Sequence, residues 1–473
     1  MRFTIERVRT LLLVAALVLL AALGVFLARA KWKNLLNRHD LPSQLAKDIQ
    51  QEANGYTFVH AYGAHSQYRI HASKEVVLKN DRVELHDVQI DLFGEDGSRV
   101  DRIAGDTFEY DPKSGVATAK GPVVMLLTRP AGGVKAAARE KGQAIVAAAM
   151  AANPADQVEV KTSGVRFDRN TGLVTTGERV DFSLAQGRGS ATGARYDAQS
   201  GYLTLERAVE ITTHRGGDLV EIKASHAEFD RGAQTARLQE AAAKYRGGQA
   251  IAAEAKVLFR ADGSAERLDA NGGFTVTTAD GGRLAATWGQ LEFNEHNEPQ
   301  HGHLDGGVVL DSAEEGRAMR GVSPSAELEF TAKGLLKSAH LGPGVTLESK
   351  ETTGAAAGQA ETGEVHRTWS SPMVDIGFSQ PGRGGQAAGK GHTVPATIRG
   401  TGGVTITSEV RRGNGAATPS KMTADEVTGT FGPGGTLRTI NGVGHAEIEQ
   451  TTATGTRQTA TGERLVAQLE EDR

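Results

Sequence analysis

The sequence predicts an all-β protein, a long antiparallel sheet of regularly bent strands that follows an N-terminal transmembrane helix. Three observations predict this fold class. Segments alternate apolar and polar residues, an aromatic residue recurs roughly every 30 residues before a turn motif, and a glycine recurs within the strand that follows. Strict alternation is typical of strands that bury one face, and a glycine inside a strand marks a bend or a bulge.

Composition excludes several classes of protein. The chain has 473 residues, of which 59 are Gly and none is Cys. The glycines show no Gly-X-Y period, which excludes a collagen-like protein. The absence of Cys excludes a disulfide scaffold, an iron–sulfur cluster, a thiolate zinc site and a cysteine nucleophile. The formal net charge of −4 argues against nucleic acid as the main partner, because nucleic-acid-binding surfaces are basic.

The N-terminus carries an unbroken apolar run over residues 11–27, with Arg and Lys on both sides. At ~1.5 Å per residue a helix of this length spans ~26 Å, which is at the short end of what crosses a bilayer. A cleaved signal peptide is the alternative, because residues 28–30 have the small-x-small form of a cleavage site. Both interpretations export the bulk of the chain. We favour an uncleaved membrane anchor formed by Leu11, Leu17, Leu20, Leu23 and Leu27.

An aromatic residue followed by a turn motif repeats through the rest of the chain. Successive aromatics from Phe167 to Phe330 are 29 to 37 residues apart. In three copies an Asp follows the aromatic and a Gly lies four residues after the Asp, as in Asp168 and Gly172. Such Asp side chains accept hydrogen bonds from backbone N–H groups two residues on, and Gly supplies the positive φ that a hairpin loop needs. We therefore interpret these Asp residues as hairpin corners rather than as catalytic or calcium-binding carboxylates.

A glycine also precedes an apolar pair in the second strand of most repeats. Bends at these regular places would fold the long sheet over on itself into a trough or flattened barrel. Because aromatic residues make up only 5% of the chain, the core of such a trough is thin and can be opened. The predicted bend positions are Gly121, Gly273, Gly307, Gly344 and Gly442.

The repeats and two Gly/Ala-rich stretches divide the chain into six segments. The predicted segments are the cytoplasmic tip and anchor (1–38), the first part of the sheet (39–130), an Ala-rich insertion (131–155), a block of β repeats (156–350), a low-complexity insertion (351–395) and a C-terminal β repeat (396–473).

The sequence offers no convincing catalytic or cofactor site. The densest histidine group consists of His296, His301 and His303 with Asp305, and these side chains could hold zinc. We favour the alternative that this segment is a solvated hairpin loop. The sequence contains no phosphate-binding loop, because no Gly-Lys-Ser/Thr follows a strand, and no convincing motif for a catalytic nucleophile. A polysaccharide-cleaving β-helix would need carboxylates clustered on one wet sheet face, and the acidic residues lie mainly at turns. We therefore expect a non-enzymatic protein without metal or cofactor.

Residues 65–127 carry a more specific pattern. Residues 68–72 (YRIHA), 83–90 (VELHDVQI), 103–106 (IAGD), 110–115 (YDPKSG) and 119–123 (AKGPV) follow one another in this order. Together with the N-terminal membrane segment they resemble LptC, the single-pass periplasmic component of the lipopolysaccharide exporter. The downstream repeats resemble the OstA-like modules of its soluble partner LptA, as if LptC-like and LptA-like segments were fused in one chain.

The resemblance implies a fold, a cargo and partners. It implies an elongated OstA-like β-jellyroll, open along one seam, whose apolar interior receives the acyl chains of lipopolysaccharide. It also implies an inner-membrane, single-pass protein with its bulk in the periplasm. The partners would be lipopolysaccharide, an inner-membrane ABC exporter of the LptB, LptF and LptG type, and an LptA-like protein joined by β-strand addition. Physics agrees, because unpaired edge strands seek a partner and each exposed CH₂ of an acyl chain costs ~0.8 kcal/mol in water.

Within this resemblance, position in the repeats selects the residues expected to line the lipid groove. The alternative for each of them is an ordinary core residue that never meets lipid. The alternative for the whole chain is a structural β-repeat scaffold of the envelope that assembles edge to edge without lipid transport. The candidate lining residues are Phe108, Tyr110, Phe167, Phe182, Tyr196, Phe229, Phe259, Phe293 and Phe330.

Overall fold

A computed structural model describes thirteen stretches of the chain. They are residues 49–62, 65–94, 99–128, 157–184, 187–215, 218–279, 281–314, 316–353, 363–379, 394–413, 415–432, 437–452 and 455–468. The predicted membrane anchor and the whole of the Ala-rich insertion lie outside these residues. Within them the structure is all-β and contains no helix, which confirms the predicted fold class for this part of the chain. It accordingly holds no helix with the length and apolarity that a bilayer crossing requires.

The described residues form 28 strands in a single sheet. In chain order the strands are β1 (Ile49–Tyr62), β2 (His65–Leu78), β3 (Val83–Phe93), β4 (Val100–Asp111), β5 (Val116–Ala119), β6 (Pro122–Thr128), β7 (Gln157–Ser163), β8 (Arg166–Asp168), β9 (Leu173–Leu184), β10 (Gly187–Asp197), β11 (Tyr202–Arg215), β12 (Asp218–Ala224), β13 (His226–Asp230), β14 (Thr235–Tyr245), β15 (Gly248–Phe259), β16 (Ala265–Thr277), β17 (Arg283–Ala286), β18 (Trp288–Phe293), β19 (Pro299–Glu314), β20 (Arg317–Phe330), β21 (Leu336–Gly342), β22 (Val345–Thr353), β23 (Gly363–Ser371), β24 (Met373–Ser379), β25 (Val394–Arg412), β26 (Thr418–Phe431), β27 (Leu437–Thr451) and β28 (Arg457–Gln468).

The strands form one antiparallel meander in which each full traverse of the sheet pairs with the traverse before it and the traverse after it. We call each full traverse of the sheet a rung. Six traverses are split into two short strands (β5 with β6, β7 with β8, β12 with β13, β17 with β18, β21 with β22, and β23 with β24), so 28 strands make 22 rungs. In each split rung, the two short strands pair with different halves of their neighbours; β5 and β6, for example, pair with opposite ends of β4.

Every rung therefore contributes one half to each of two walls. Wall 1 contains β6, β7, β12, β17, β22 and β23, and its free border, rim 1, carries the turn at residues 246–247. Wall 2 contains β5, β8, β13, β18, β21 and β24, and its border, rim 2, carries the turn at residues 198–201. The two walls meet along a bend line in the middle of the rungs, so the sheet is folded lengthwise. We call the gap between the two rims the seam.

Residues with positive φ mark the bend line. Gly273 (φ 97°), Gly307 (φ 91°) and Gly344 (φ 87°) lie there, which confirms three of the predicted bend glycines. Gly121 also lies on the bend line, between β5 and β6, and Gly442 lies one residue before the register shift at Val443, but neither has a positive φ. At Gly442 an added Cβ would lie 2.4 Å from the terminal methyl of the Met422 side chain.

The predicted hairpin corners are also present on rim 2. The Asp111, Asp168 and Asp197 carboxylates each accept a hydrogen bond from the backbone N–H two residues on, at 2.8 to 2.9 Å. The glycines that follow have φ of 70° to 76°. The copies without glycine at this place use Gln234 (φ 55°) and Asn297 (φ 60°), the latter as predicted. These Asp residues are therefore structural.

The stretch 351–395, predicted to be a low-complexity insertion, contains a complete rung formed by β23 and β24. Trp369 and Val374 of this rung are buried in the core, with exposed fractions of 6% and 0%. The sequence signal was present as the short strand-like segment at 373–378, but the Gly/Ala-rich flanks masked it. The insertion is therefore interrupted by a regular part of the sheet.

A bend-line glycine with positive φ should matter more than one without it. We expect Gly307→Ala to lower the free energy of unfolding by about 1–2 kcal/mol, because an L residue is strained at φ 91° although a Cβ there meets no atom within 4 Å. The control is Gly121→Ala, which has equal space and no positive φ and should change stability by at most about 0.5 kcal/mol. Urea unfolding of both variants measures the difference, and equal effects would contradict the strain argument.

Candidate functional site

The inner face of the folded sheet is the candidate site. Side chains of successive strand residues point to opposite faces, so residues paired across neighbouring strands form rows that run along the sheet. One such row on each wall consists of apolar side chains and glycines and continues through nearly the whole length of the sheet. The two rows face each other across the interior.

The wall 1 row crosses all 22 rungs without a charged or polar side chain. Its members pair consecutively, and those in the N-terminal part belong to the buried core. They are Phe58, Ile70, Ile90, Ile103, Met125, Val160, Phe182, Gly189, Ile211, Ile222, Ala243, Ala250, Val276, Leu284, Leu310, Gly321, Leu347, Trp369, Ile406, Met422, Ile448 and Ala460.

The wall 2 row is continuous from the second rung to the last. It includes four of the repeating aromatics, and its only heteroatoms are two tyrosine hydroxyls. Its members are Val77, Val83, Tyr110, Ala117, Phe167, Val174, Tyr196, Leu203, Phe229, Ala236, Val257, Leu268, Leu291, Gly302, Leu328, Ala339, Ile376, Ile398, Gly429, Ile440 and Ala467.

The interior is filled to different degrees along its length. In the first eleven rungs the walls pack on each other in a large core, in which Ile90, Ile103 and Phe108 are fully buried. In the middle, no residue of β15 or β16 is buried. On the wall 1 row there, Leu310 is 46% exposed although it lies on the inner face. The middle of the trough therefore presents apolar side chains that the protein itself does not cover.

Aromatic contacts join the two walls near the N-terminal end. The Tyr68 ring on wall 1 meets the Phe167 ring on wall 2 edge to face, with the centroids 5.1 Å apart. The Arg169 guanidinium at rim 2 lies over both Phe58 and Tyr110, 5.6 and 5.5 Å from the ring centroids. Burial raises the pKa of Tyr68 to about 12. This end of the trough is packed shut.

A buried polar cluster lies on the seam between the two rims. Asp101 on wall 1 is fully buried and accepts hydrogen bonds from the Tyr196 hydroxyl on wall 2 and from the Thr128 N–H at 2.8 Å. Its carboxylate also pairs with Arg99 at 3.1 Å and with Arg231 at 3.2 Å. Burial and the Asp101 charge raise the pKa of Tyr196, which therefore stays protonated and donates. We call Arg99, Asp101, Tyr196 and Arg231 the seam cluster.

Each end of the sheet presents a strand with one unpaired edge among the described residues. β1 pairs with β2, and β28 pairs with β27, and neither has a second neighbour there. Most residues of β28 are exposed, although Leu465 and Ala467 continue the inner face. An unpaired edge is a template for another strand; the wall 1 row reaches such an edge at both ends, and the wall 2 row reaches one at β28.

The nine predicted lining residues all lie on the inner face by strand alternation. The interior buries Phe108, Phe167, Phe182 and Tyr196, so in this conformation they are core residues. The other five are half-buried, and three of them end their strands at rim 2. Whether any of the nine contacts lipid stays a prediction. The five half-buried rings are Tyr110, Phe229, Phe259, Phe293 and Phe330.

The histidine group lies largely in a strand rather than in the predicted loop. β19 begins at Pro299, and His301 and His303 alternate along it on the outer face of wall 2. The His301 ring lies 2.9 Å from the Glu329 carboxylate on the next strand, and His303 pairs with Glu327 in the same way. Across the described stretches, no three His, Asp or Glu side chains are grouped to hold a metal ion.

Sequence reasoning missed two components of the site. It selected aromatics and passed over aliphatic members of the rows such as Leu284 and Leu310, where apolar neighbours (Ala285 and Val309) make the alternation incomplete. It also missed the seam cluster, whose members come from distant parts of the chain. The one local signal is the charge of Asp101. This residue follows Val100 and lies two residues before the inward-facing Ile103, so alternation places its carboxylate on the inner face.

Comparison with known proteins does not name a family for this chain. No protein-family model matches it, and a search of curated proteins gave no match.

Proposed function

We propose that the protein is a non-enzymatic transporter that carries lipopolysaccharide across the periplasm, with the acyl chains held in the folded sheet. The observation that carries the proposal is the pair of uninterrupted apolar rows, which stay partly uncovered in the middle of the trough at Leu310. Each CH₂ kept out of water is worth ~0.8 kcal/mol, so a cargo with several acyl chains needs a lining of this kind along its whole path.

The length of the rows favours movement over storage. A closed pocket would hold one ligand at one place, whereas rows that cross the whole sheet offer similar apolar contacts at every rung. Because the apolar rows continue from rung to rung, a cargo in the open part of the trough can shift along it without leaving an apolar lining. Directional work would come from an ATP-driven exporter in the inner membrane, of the LptB, LptF and LptG type.

The OstA-like jellyroll, the membrane anchor at residues 11–27 and the partners belong to the same proposal. The motifs of residues 65–127 resemble LptC, and the described part of the chain is a long antiparallel sheet with two unpaired edges. Strand addition at such an edge would join the trough to an LptA-like protein or to the exporter. The anchored chain would then form one section of a continuous apolar path between the membranes.

The test is site-specific photocrosslinking in cells that make lipopolysaccharide. A photoreactive phenylalanine analogue at Leu310, on the inner face, should yield a lipopolysaccharide adduct. The matched control is Val322, which is 42% exposed against 46% for Leu310 and lies on the next strand, on the outer face of the same wall. Adducts at neither position, with folded protein, would contradict the proposal and favour an envelope scaffold.

A further inference from the structure

The seam cluster stands out because buried charges are costly and this one joins elements that are far apart in the sequence. Asp101 and Arg99 stand at the rim 1 end of wall 1, and Tyr196 and Arg231 stand at the rim 2 end of wall 2. A carboxylate with no exposed surface is stable only when cations and hydrogen-bond donors surround it. Here half of those partners come from the opposite wall.

Arg99 adds direct contacts between the two rims. Its guanidinium donates to the backbone carbonyls of Ala198 and Gln199, which lie in a rim 2 turn. In the same turn, Gly201 leaves room for the guanidinium, because a Cβ at this position would lie 2.3 Å from it. The rim 2 turn thus has space for a side chain from rim 1.

The cluster lies where the interior is filled. The first eleven rungs, which contain every member of the cluster, form the large buried core, whereas the open stretch around Leu310 lies beyond them. An acyl chain in the N-terminal section would have to displace contacts such as Tyr68 with Phe167. The walls can make that room only by separating at the seam.

We propose that the seam cluster is a latch that holds the N-terminal section of the trough closed, and that cargo enters this section when the latch opens. The inference rests on the proposed function for the identity of the cargo, but the latch itself does not. A polar latch suits this task. On opening, its hydrogen-bond donors and acceptors lose each other as partners and gain water instead, whereas an apolar seam would expose apolar surface to water.

The distance between the walls tests the latch. The chain has no Cys, so the exposed outer positions Ala104 on wall 1 and Arg195 on wall 2 can each receive one cysteine and one spin label. We expect Asp101→Asn to shift the label-to-label distance to longer values in the full-length protein. Purified lipopolysaccharide added to the labelled protein with Asp101 intact should shift it in the same direction.

A matched control separates the latch from a general effect of losing a buried charge. Asp91 is also buried, at 3% exposure, and pairs with Arg102 at 2.9 Å, but both lie on neighbouring strands of wall 1. Asp91→Asn should leave the distance unchanged. If Asp101→Asn fails to fold, Arg231→Gln removes one cation of the cluster from the more accessible rim 2 side.

The outcomes are distinct. An unchanged distance in Asp101→Asn or, where that variant does not fold, in Arg231→Gln would overturn the latch, as would an equal shift in Asp91→Asn. A seam that opens in the variant while the Leu310 crosslinker finds no lipopolysaccharide would keep the latch and contradict the proposed function. A Leu310 adduct together with an unchanged distance across the seam would support the proposed function and contradict the latch.

Discussion

Replacing Phe108 by Ala is expected to lower the free energy of unfolding by about 3–5 kcal/mol, the usual loss for a fully buried aromatic ring. Phe108 is 0% exposed and lies at the centre of the N-terminal core, where both walls pack on it. The close fit at its ring leaves little room for collapse, since a Cβ added to Gly105 would already lie 3.0 Å from it. Chemical unfolding monitored by circular dichroism measures the loss.

The control for this prediction is a predicted lining aromatic from a later repeat. Phe293 is half-buried and ends its strand at rim 2, beside the open middle of the trough. Phe293→Ala should cost about 1–2 kcal/mol, because less apolar surface is lost. Equal losses at the two positions would mean that the middle of the trough is as tightly packed as its N-terminal end, which would contradict the distinction between core and lining aromatics.

Replacing Phe293 by Arg should reduce bound lipopolysaccharide at least about tenfold, because a guanidinium among acyl chains is desolvated without a partner and 1.4 kcal/mol already changes affinity tenfold. Membrane anchorage and folding should be retained, since the side chain is not part of a filled core. The amount of lipid that copurifies with the full-length protein, quantified by mass spectrometry, measures the effect.

The neighbouring residue supplies the control for charge. Glu292→Arg places the same guanidinium one residue earlier on the same strand, at an exposed position on the outer face. It should leave the bound lipid unchanged. If both substitutions deplete lipid equally, the effect is one of surface charge and Phe293 does not line the path. Phe229→Arg is a poorer test, because Phe229 packs on the N-terminal core and its loss would also destabilise the fold.

Local patterns predicted the local structure well. Period-two alternation predicted the strands, and the Asp and Gly of the repeats predicted the rim 2 turns. Gly273 and Gly307 predicted the position of the bend line, and both have positive φ there. Each of these features depends on a few neighbouring residues, so the sequence contains the whole of the signal. Gly121 and Gly442 lie on or beside the same line without a positive φ, so a glycine in the sequence does not by itself reveal the local φ.

Features that depend on distant residues could not be predicted. Which aromatics are core and which are half-exposed depends on how tightly the two walls close, and Phe167 and Phe293 look alike in sequence. The seam cluster joins Asp101 to Arg231 across 130 residues, and no periodicity connects them. The register of the 22 rungs decides which side chains line up in rows, and it is fixed only when every hairpin has formed.

The alternation of turns between the two rims restricts how such a chain can change in length. Because consecutive rungs run in opposite directions, the loss of a single rung would reverse every later strand and bring its next turn to the wrong border. Removal of a hairpin of two rungs preserves the direction of every later strand, the face to which each side chain points and both apolar rows. Inside the sheet the trough is thus modular in pairs, and a homologue that gains or loses rungs between the two ends while keeping the same path should differ from this chain there by an even number of rungs.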